Sequence, residues 1–140
     1  MVAVVPFNWQ VRVYYEDTDG GGVVYHSNYL NFMERARTEW LRNLGFEQTI
    51  LRDELGVIFV VCSVQLDFKK PAKFNDLITI TSEVVKTGRS SFQVAQTITL
   101  ESATRVSQTL VQGLVKVACV NSHTFRPVAI PAPILQKMLN

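Results

Sequence analysis

The spacing of apolar residues predicts one strand, one long helix and then a series of further strands. Residues 9 to 15 alternate between apolar and polar positions, which is typical of a half-buried strand. From Tyr29 to Leu44 apolar residues recur every three or four positions, and Gly45 follows where a C-terminal cap belongs. This pattern predicts an amphipathic helix that begins near His26 to Asn28. Residues 47 to 55 predict a short second helix.

The rest of the pattern is typical of β-structure. Residues 57 to 68 form an apolar, β-branched run, residues 77 to 86 and 90 to 101 alternate, and residues 109 to 121 are nearly continuously apolar. The last of these runs predicts a strand in the middle of the sheet. Short connections favour antiparallel pairing, so we expect an α+β fold with a curved antiparallel five-stranded sheet wrapped around one long helix. Residues 124 to 140 contain three prolines and indicate a trailing tail.

Length and composition limit the class of protein. The 140 residues predict a single domain, residues 1–140, and one helix cannot cover both faces of its sheet, so we expect a homodimer or a homotetramer. The composition, 47% apolar and 19% charged, is that of a globular protein, and a net charge of +2 gives no argument for nucleic acid. The longest apolar run is too short for an integral membrane segment and no signal peptide is recognised, so a soluble cytoplasmic protein is expected. Cys62 and Cys119 lie in apolar runs without metal-ligand spacing, which predicts two buried core thiols.

Candidate chemistry is concentrated between Tyr15 and His26, in the sequence YEDTDGGGVVYH. The start of this stretch is similar to a calcium loop, but the twelfth position from Asp17 is Asn28 rather than a bidentate Glu, so no metal is expected. An aspartate loop after a strand also resembles the nucleophile loop of haloacid dehalogenase-like phosphatases. Those enzymes have a parallel α/β core, which this pattern does not predict, so phosphoryl transfer remains a minor alternative.

A third interpretation places a carboxylate beside the N-terminus of the long helix. Three glycines, residues 20 to 22, allow the backbone to turn sharply and to approach a ligand closely. The first backbone N–H groups of a helix lack internal partners and can hold an oxyanion that develops on a carbonyl oxygen. A neighbouring aspartate can attack that carbonyl or activate water. This combination suits acyl transfer or hydrolysis.

Four segments together resemble the YbgC-type acyl-CoA thioesterases, relatives of 4-hydroxybenzoyl-CoA thioesterase with a hotdog fold. The segments are DTDGGGVVYHSNYLNFMERAR, FVVCSVQLDFKKPAKFNDLITI, the KTGRSSF turn and VACVNSHTFRPVAIP. The resemblance implies hydrolysis of an acyl-CoA thioester to a free acid and CoA, without a cofactor, by an enzyme of the bacterial Tol-Pal-associated type. It implies that Asp19 is the catalytic carboxylate, as nucleophile or general base, and that the backbone amide of His26 polarises the thioester carbonyl. The His26 side chain is expected to contact the carbonyl or the water.

The resemblance also implies a set of substrate-binding residues in an active site built between two subunits. Arg89, Ser90 and Ser91 correspond to positions that contact the CoA nucleotide, although a plain hairpin turn explains them equally well. Lys70, with Lys69 and Lys73, is a candidate for CoA phosphates or for an acyl carrier protein. Gly22 and Val23 are candidate residues near the thioester, and Tyr25 is expected either to line the acyl pocket or to pack in the core. Asp17 and Glu16 are interpreted as residues that hold the loop in shape.

Two other functions remain open on the same fold. Hotdog dehydratases and hydratases also use a carboxylate and a histidine, but they release no thiol. A non-catalytic hotdog protein would bind acyl-CoA or an acyl carrier protein as a scaffold. Release of a thiol from an acyl-CoA separates the thioesterase from both.

Overall fold

A computed structural model describes residues 6–102 and 105–139, and these form one five-stranded sheet with helices against it. The strands are β1 (Phe7–Arg12), β2 (Val57–Phe68), β3 (Leu77–Thr87), β4 (Ser91–Ser102) and β5 (Arg105–Asn121). Their order in the sheet is β1-β3-β4-β5-β2, and every neighbouring pair is antiparallel. The predicted antiparallel five-stranded sheet is therefore confirmed.

The long helix α1 (His26–Asn43) packs its apolar stripe against the sheet. It begins at His26, within the predicted range, and Gly45 follows its end with φ 100°, a left-handed conformation that favours glycine. A helical turn α2 (Gln48–Ile50) continues into a π-helical turn (Leu51–Leu55), which confirms the short second helix. The buried side chains of α1 are Tyr29, Phe32, Met33, Ala36, Trp40 and Leu41.

The middle of α1 lies so close to the sheet that β5 carries a glycine beneath it. A Cβ atom at Gly113 would lie 2.6 Å from Met33 Cε and 2.8 Å from Leu66 Cδ2. Gly113 pairs with Gln96 on β4, and the Gln96 side chain is fully buried. Gln96 Nε2 donates hydrogen bonds to the Met33 carbonyl oxygen (3.0 Å) and to Ser82 Oγ (2.9 Å). Close packing and a buried polar network thus fix the helix over the sheet.

The two ends of the chain differ from the predictions. β1 ends at Arg12, because its partner β3 begins at Leu77, which pairs with Arg12; the strand predicted for residues 9 to 15 is therefore too long. Tyr15 belongs to a short 3₁₀ turn and is 80% exposed, so it does not share the apolar face of β1. The predicted C-terminal tail is also wrong, since a helix, α3 (Ala132–Leu139), packs there. Its residues Ile134 and Met138, four positions apart, are buried.

Two predictions about the late strands need correction. β5 has a neighbour on each side but lies second from the edge, and β4 is the middle strand. Cys119 is a buried thiol as predicted, but Cys62 is exposed. Cys62 lies on β2, an edge strand, where the register shifts between Val61 and Ser63. An apolar run does not distinguish an edge strand from an interior one, which explains the error.

Candidate active site

The glycine-rich stretch forms a tight hairpin that returns Asp19 to the chain segment entering α1. The Asp19 N–H donates to the Val23 carbonyl oxygen (2.9 Å), and the Gly22 N–H donates to the Asp19 carbonyl oxygen (3.1 Å). Thr18 and Val24 form an isolated β-bridge. Gly22 has φ 80°, a conformation that a residue with a Cβ rarely adopts. The hairpin therefore places Asp19 beside Val23, three residues before the first residue of the helix.

The Asp19 carboxylate is exposed and is oriented by the loop itself. Its Oδ1 accepts a hydrogen bond from the Gly21 N–H at 2.8 Å. A Cβ atom at Gly21 would lie 3.3 Å from the same oxygen, so glycine leaves this side of the carboxylate uncrowded. Oδ2 has no partner within residues 6–102 and 105–139. A carboxylate with one held oxygen and one open oxygen can attack a carbonyl or take a proton from water.

Asp17 is the buried acid of the loop and has a different environment. Its side chain is 9% exposed, Oδ2 accepts from the Tyr14 N–H (2.8 Å), and Oδ1 accepts from Asn28 Nδ2 (2.7 Å). Its carbonyl oxygen accepts from the Tyr25 N–H (3.2 Å). Asp17 thus joins the end of β1 to the first turn of α1, and its interpretation as a loop-shaping residue is confirmed. Glu16 is exposed, and its role stays a prediction.

The N-terminus of α1 presents open hydrogen-bond donors next to this loop. No side chain caps the helix, whose N-cap residue is Tyr25. The Asn28 N–H donates to the Tyr25 carbonyl oxygen (2.9 Å), whereas the N–H groups of His26 and Ser27 have no acceptor in the described part of the chain. Such donors, together with the helix dipole, favour negative charge on a bound oxygen atom. The site therefore offers a carboxylate and a helix end with open N–H donors within eight residues of sequence.

A pocket of about 240 Å³ opens beside His26. The His26 ring packs on the Phe68 ring with centroids 4.9 Å apart, and Tyr29 packs on the same ring at 5.6 Å. The lining residues are Val23, Val24, His26, Tyr29, Phe68, Lys69, Lys70 and Pro71. Val23 and Lys70, predicted from the sequence, line this pocket. Tyr25 does not, and its side chain is 58% exposed.

Sequence reasoning missed Phe68 and Tyr29. Phe68 is the last residue of β2, and Tyr29 is on the buried stripe of α1, so each was counted as ordinary packing. The Tyr29 hydroxyl accepts a hydrogen bond from the buried Ala72 N–H (3.0 Å), and burial raises the pKa of this phenol. The Ala72 carbonyl oxygen in turn accepts from the Val24 N–H (2.9 Å). Ala72 therefore links the pocket wall to the segment between the Asp19 hairpin and α1.

Arg89, Ser90 and Ser91 lie far from this pocket within the protomer. Arg89 and Ser90 belong to the turn between β3 and β4 and Ser91 is the first residue of β4, whereas the loop of Asp19 contacts the segment just before β3. β3 has 11 residues, so the two ends are on the order of 33 Å apart. β1 and β2 end, and β3 begins, at one end of the strands, which we call the Asp19 end of the sheet. We call the other end, where the turn between β3 and β4 lies, the far end. Within one protomer, the turn predicted to bind the nucleotide therefore does not reach the Asp19 end of the sheet.

Other features do not compete with this site. A second cleft, of about 710 Å³, lies between the end of α1, the start of β1 and α3, and none of the described residues that line it has a carboxylate or an imidazole. Across residues 6–102 and 105–139, no group of three or more His, Cys, Asp or Glu side chains could hold a metal ion. In the same ranges, no helix is long and apolar enough to cross a bilayer.

Comparisons with known proteins assign the family. The model of the thioesterase superfamily matches residues 21–107. The acyl-CoA thioesterase YbgC of Haemophilus influenzae is 44% identical over 128 residues, which cover 91% of this chain and 90% of that protein. The structure of a probable thioesterase from Bartonella henselae superposes with a TM-score of 0.82 at 35% identity, covering 91% of this chain and all of the other. The chain therefore belongs to the thioesterase superfamily, and its similar relatives within it include the YbgC acyl-CoA thioesterases.

A more distant structure supports the fold alone. 4-Hydroxybenzoyl CoA thioesterase from Pseudomonas sp. strain CBS-3 superposes with a TM-score of 0.88 at 19% identity, covering 96% of this chain and 99% of the other. The five-stranded antiparallel sheet around one long helix is thus the hotdog fold of the thioesterases, as the sequence predicted.

Proposed function

We propose that the protein hydrolyses acyl-CoA thioesters to a free acid and CoA, with Asp19 as the catalytic carboxylate and the His26 backbone N–H as the group that polarises the carbonyl. The names of the YbgC relatives support the reaction and the substrate class. The observation that carries the assignment of residues is the exposed Asp19 carboxylate, held by Gly21 next to the uncapped N-terminus of α1.

Two routes are consistent with this arrangement. As a nucleophile, Asp19 forms a bond to the thioester carbon, the C–S bond breaks, the thiolate leaves, and water then hydrolyses the mixed anhydride. As a general base, Asp19 takes a proton from water while the water oxygen attacks the same carbon; the C–S bond then breaks, and the leaving thiolate takes up the proton. In both routes the carbonyl oxygen becomes negative, and the N–H of His26 stabilises it. The His26 imidazole contacts the carbonyl or the water, and neither route needs a cofactor.

Thiol release from a panel of short, long and aromatic acyl-CoAs tests the reaction. The wild type is expected to release CoA, and Asp19→Asn is expected to lose roughly 100-fold to 10,000-fold in kcat. Asp53→Asn, which removes an exposed carboxylate outside the pocket and outside the strands, is the matched control. Absence of thiol release from every substrate would favour the scaffold, and hydration of an enoyl-CoA without thiol release would favour the hydratase. Activity that chelation removes and magnesium restores would favour the phosphatase-like alternative.

The active form is proposed to be a homodimer joined through β2. This edge strand has 12 residues and exposes Val61 (46%) and Val64 (41%). The other edge strand, β1, has six residues and exposes the polar side chains Asn8, Gln10 and Arg12. Short length and charge protect an edge strand from pairing, whereas a long apolar edge favours it. Antiparallel pairing of two β2 strands would continue the sheet across the two subunits.

This pairing would complete the proposed substrate site. A two-fold axis that relates two antiparallel β2 strands brings the far end of one sheet beside the Asp19 end of the other. The turn that contains Arg89 and Ser90, with Ser91 directly after it, would then reach the site from the second subunit. The separation of that turn from Asp19 within one protomer supports this arrangement. The CoA nucleotide would lie on it, with Lys70 near the phosphates.

Subunit mixing tests the shared site. Asp19→Asn and Arg89→Ala each impair the site, and a mixed dimer of the two has one site with both defects and one intact site. Random mixing is therefore expected to restore about a quarter of wild-type activity. Absence of recovery in dimers shown to exchange subunits would mean that each site takes both residues from the same chain, which would contradict the shared site. Val64→Asp is expected to give monomers by light scattering.

Further partners and context remain predictions. Lys69, Lys70 and Lys73 are exposed near the pocket and provide positive charge for an acidic acyl carrier protein. If that carrier is a substrate, kcat/KM for the acylated carrier should fall with salt more steeply than kcat/KM for acyl-CoA. Higher-order assembly into a tetramer, a cytoplasmic location and an association with Tol-Pal are further proposals that follow from the resemblance.

A further inference from the structure

We propose that Phe68 sets the upper size of the acyl group that the enzyme accepts. The inference rests on the proposed function, since it assigns a role within the acyl-CoA site. Phe68 ends β2 and is 49% exposed, although it belongs to the row of β2 side chains on the same face as α1. The centroid of its ring lies 4.9 Å from that of the His26 ring and 5.6 Å from that of the Tyr29 ring. It therefore lies between the residue at the helix N-terminus and the pocket wall.

The polarity of the pocket decides which end of the substrate faces Phe68. The lining has an apolar and aromatic part, with Phe68, Tyr29 and Val24, and a charged part, the exposed residues Lys69 and Lys70. An acyl-CoA has the same asymmetry, because its acyl chain is neutral and its CoA part carries phosphates. Charge complementarity directs the phosphates toward the lysines, so the acyl group points toward Phe68.

Because the pocket is small, the position of the Phe68 ring determines how large an acyl group fits. A volume of about 240 Å³ is below the range of roughly 300–1,000 Å³ that is usual for small-molecule sites. The Tyr29 side of the pocket is fixed, because the Tyr29 side chain is 2% exposed and its hydroxyl is bonded to the Ala72 N–H. Phe68 is the large, half-exposed side chain of the lining. Replacing it with a small residue is therefore the substitution that enlarges the apolar end without displacing a buried group.

The test measures acyl-length preference in Phe68→Ala and Phe68→Leu against the wild type. Activity is followed as kcat/KM over saturated acyl-CoAs from acetyl to palmitoyl, with benzoyl-CoA included. Phe68→Ala is expected to raise the ratio of long-chain to short-chain kcat/KM by about tenfold or more, with Phe68→Leu between it and the wild type. Phe74→Ala is the matched control, since its ring is 53% exposed and packs on Tyr15 rather than lining the pocket. Its acyl-length ranking is expected to equal that of the wild type.

A binding measurement separates failure of this inference from failure of the proposed function. Asp19→Asn alone and Asp19→Asn combined with Phe68→Ala are titrated calorimetrically with the same acyl-CoAs. A shift in affinity toward longer chains in the double variant supports the role of Phe68 even if the wild type releases no thiol. An unchanged ranking in both kinetics and binding, or the same shift in Phe74→Ala, would overturn it. Failure of every acyl-CoA to bind would overturn the site assignment as well.

Discussion

Removing the Asp17 carboxylate should destabilise the protein without removing the chemistry. Asp17→Ala deletes two hydrogen bonds to a charged acceptor, one from the Tyr14 N–H (2.8 Å) and one from Asn28 Nδ2 (2.7 Å). A hydrogen bond to a charged group contributes about 1.5–3 kcal/mol. Both hydrogen bonds are only partly buried, so water replaces part of the lost interactions, and the expected cost is about 3 kcal/mol rather than the full sum.

The assay for Asp17→Ala is urea unfolding followed by tryptophan fluorescence, with Tm as a second measure. A loss of about 3 kcal/mol lowers Tm by roughly 10 °C in a chain of this size. Asp17→Asn should cost less, about 1 kcal/mol, because the Asn28 amide can rotate to accept from the new NH₂ group. Glu16→Ala, an exposed neighbour, is the control and should stay within about 0.5 kcal/mol. A cost below about 1 kcal/mol for Asp17→Ala would refute the assignment.

Three further predictions test the packing and the buried groups. Gly113→Ala should lower the free energy of unfolding by about 1–3 kcal/mol in urea titrations, since its Cβ would lie 2.6 Å from the buried Met33 Cε. Tyr29→Phe should cost about 1–3 kcal/mol and reduce kcat, since it leaves the buried Ala72 N–H without an acceptor; an unchanged unfolding curve would contradict this. Burial raises the pKa of the Cys119 thiol, so the folded state keeps this group protonated and loses stability as the pH rises above its ordinary value of 9.0. Unfolding curves at pH 8 and pH 10 should therefore differ more for the wild type than for Cys119→Ala.

Local patterns predicted the elements whose neighbours are close in sequence. The start of α1 at His26 and the glycine after its end follow from periodicity and cap chemistry within a few residues. The position of the loop of Asp17 and Asp19 beside the start of α1 was also predicted, because its acids, glycines and helix start are contiguous; the catalytic role of Asp19 stays a prediction. The environments of the two carboxylates differ because Asp17 is buried and hydrogen-bonded to Tyr14 and Asn28. The sequence pattern alone does not show this burial.

Features that depend on distant pairing could not be predicted. Cys62 was expected to be buried because periodicity does not reveal that β2 is an edge strand. The separation of Arg89 from Asp19 is a consequence of the antiparallel course of β3, which is visible only in the sheet. Prolines 131 and 133 concealed α3, although proline is compatible with the first turn of a helix. The role proposed for Phe68 depends on its contact with His26, 42 residues earlier in the chain.

The central claim is that Asp19 performs the chemistry of thioester hydrolysis while Asp17 shapes the loop. The most direct measurement is the single-turnover rate constant of acyl-CoA hydrolysis for Asp19→Asn, compared with the wild type at equal folded fraction. We expect a fall of about 100-fold or more with the free energy of unfolding unchanged within about 0.5 kcal/mol. A rate constant within about threefold of the wild type would contradict the account.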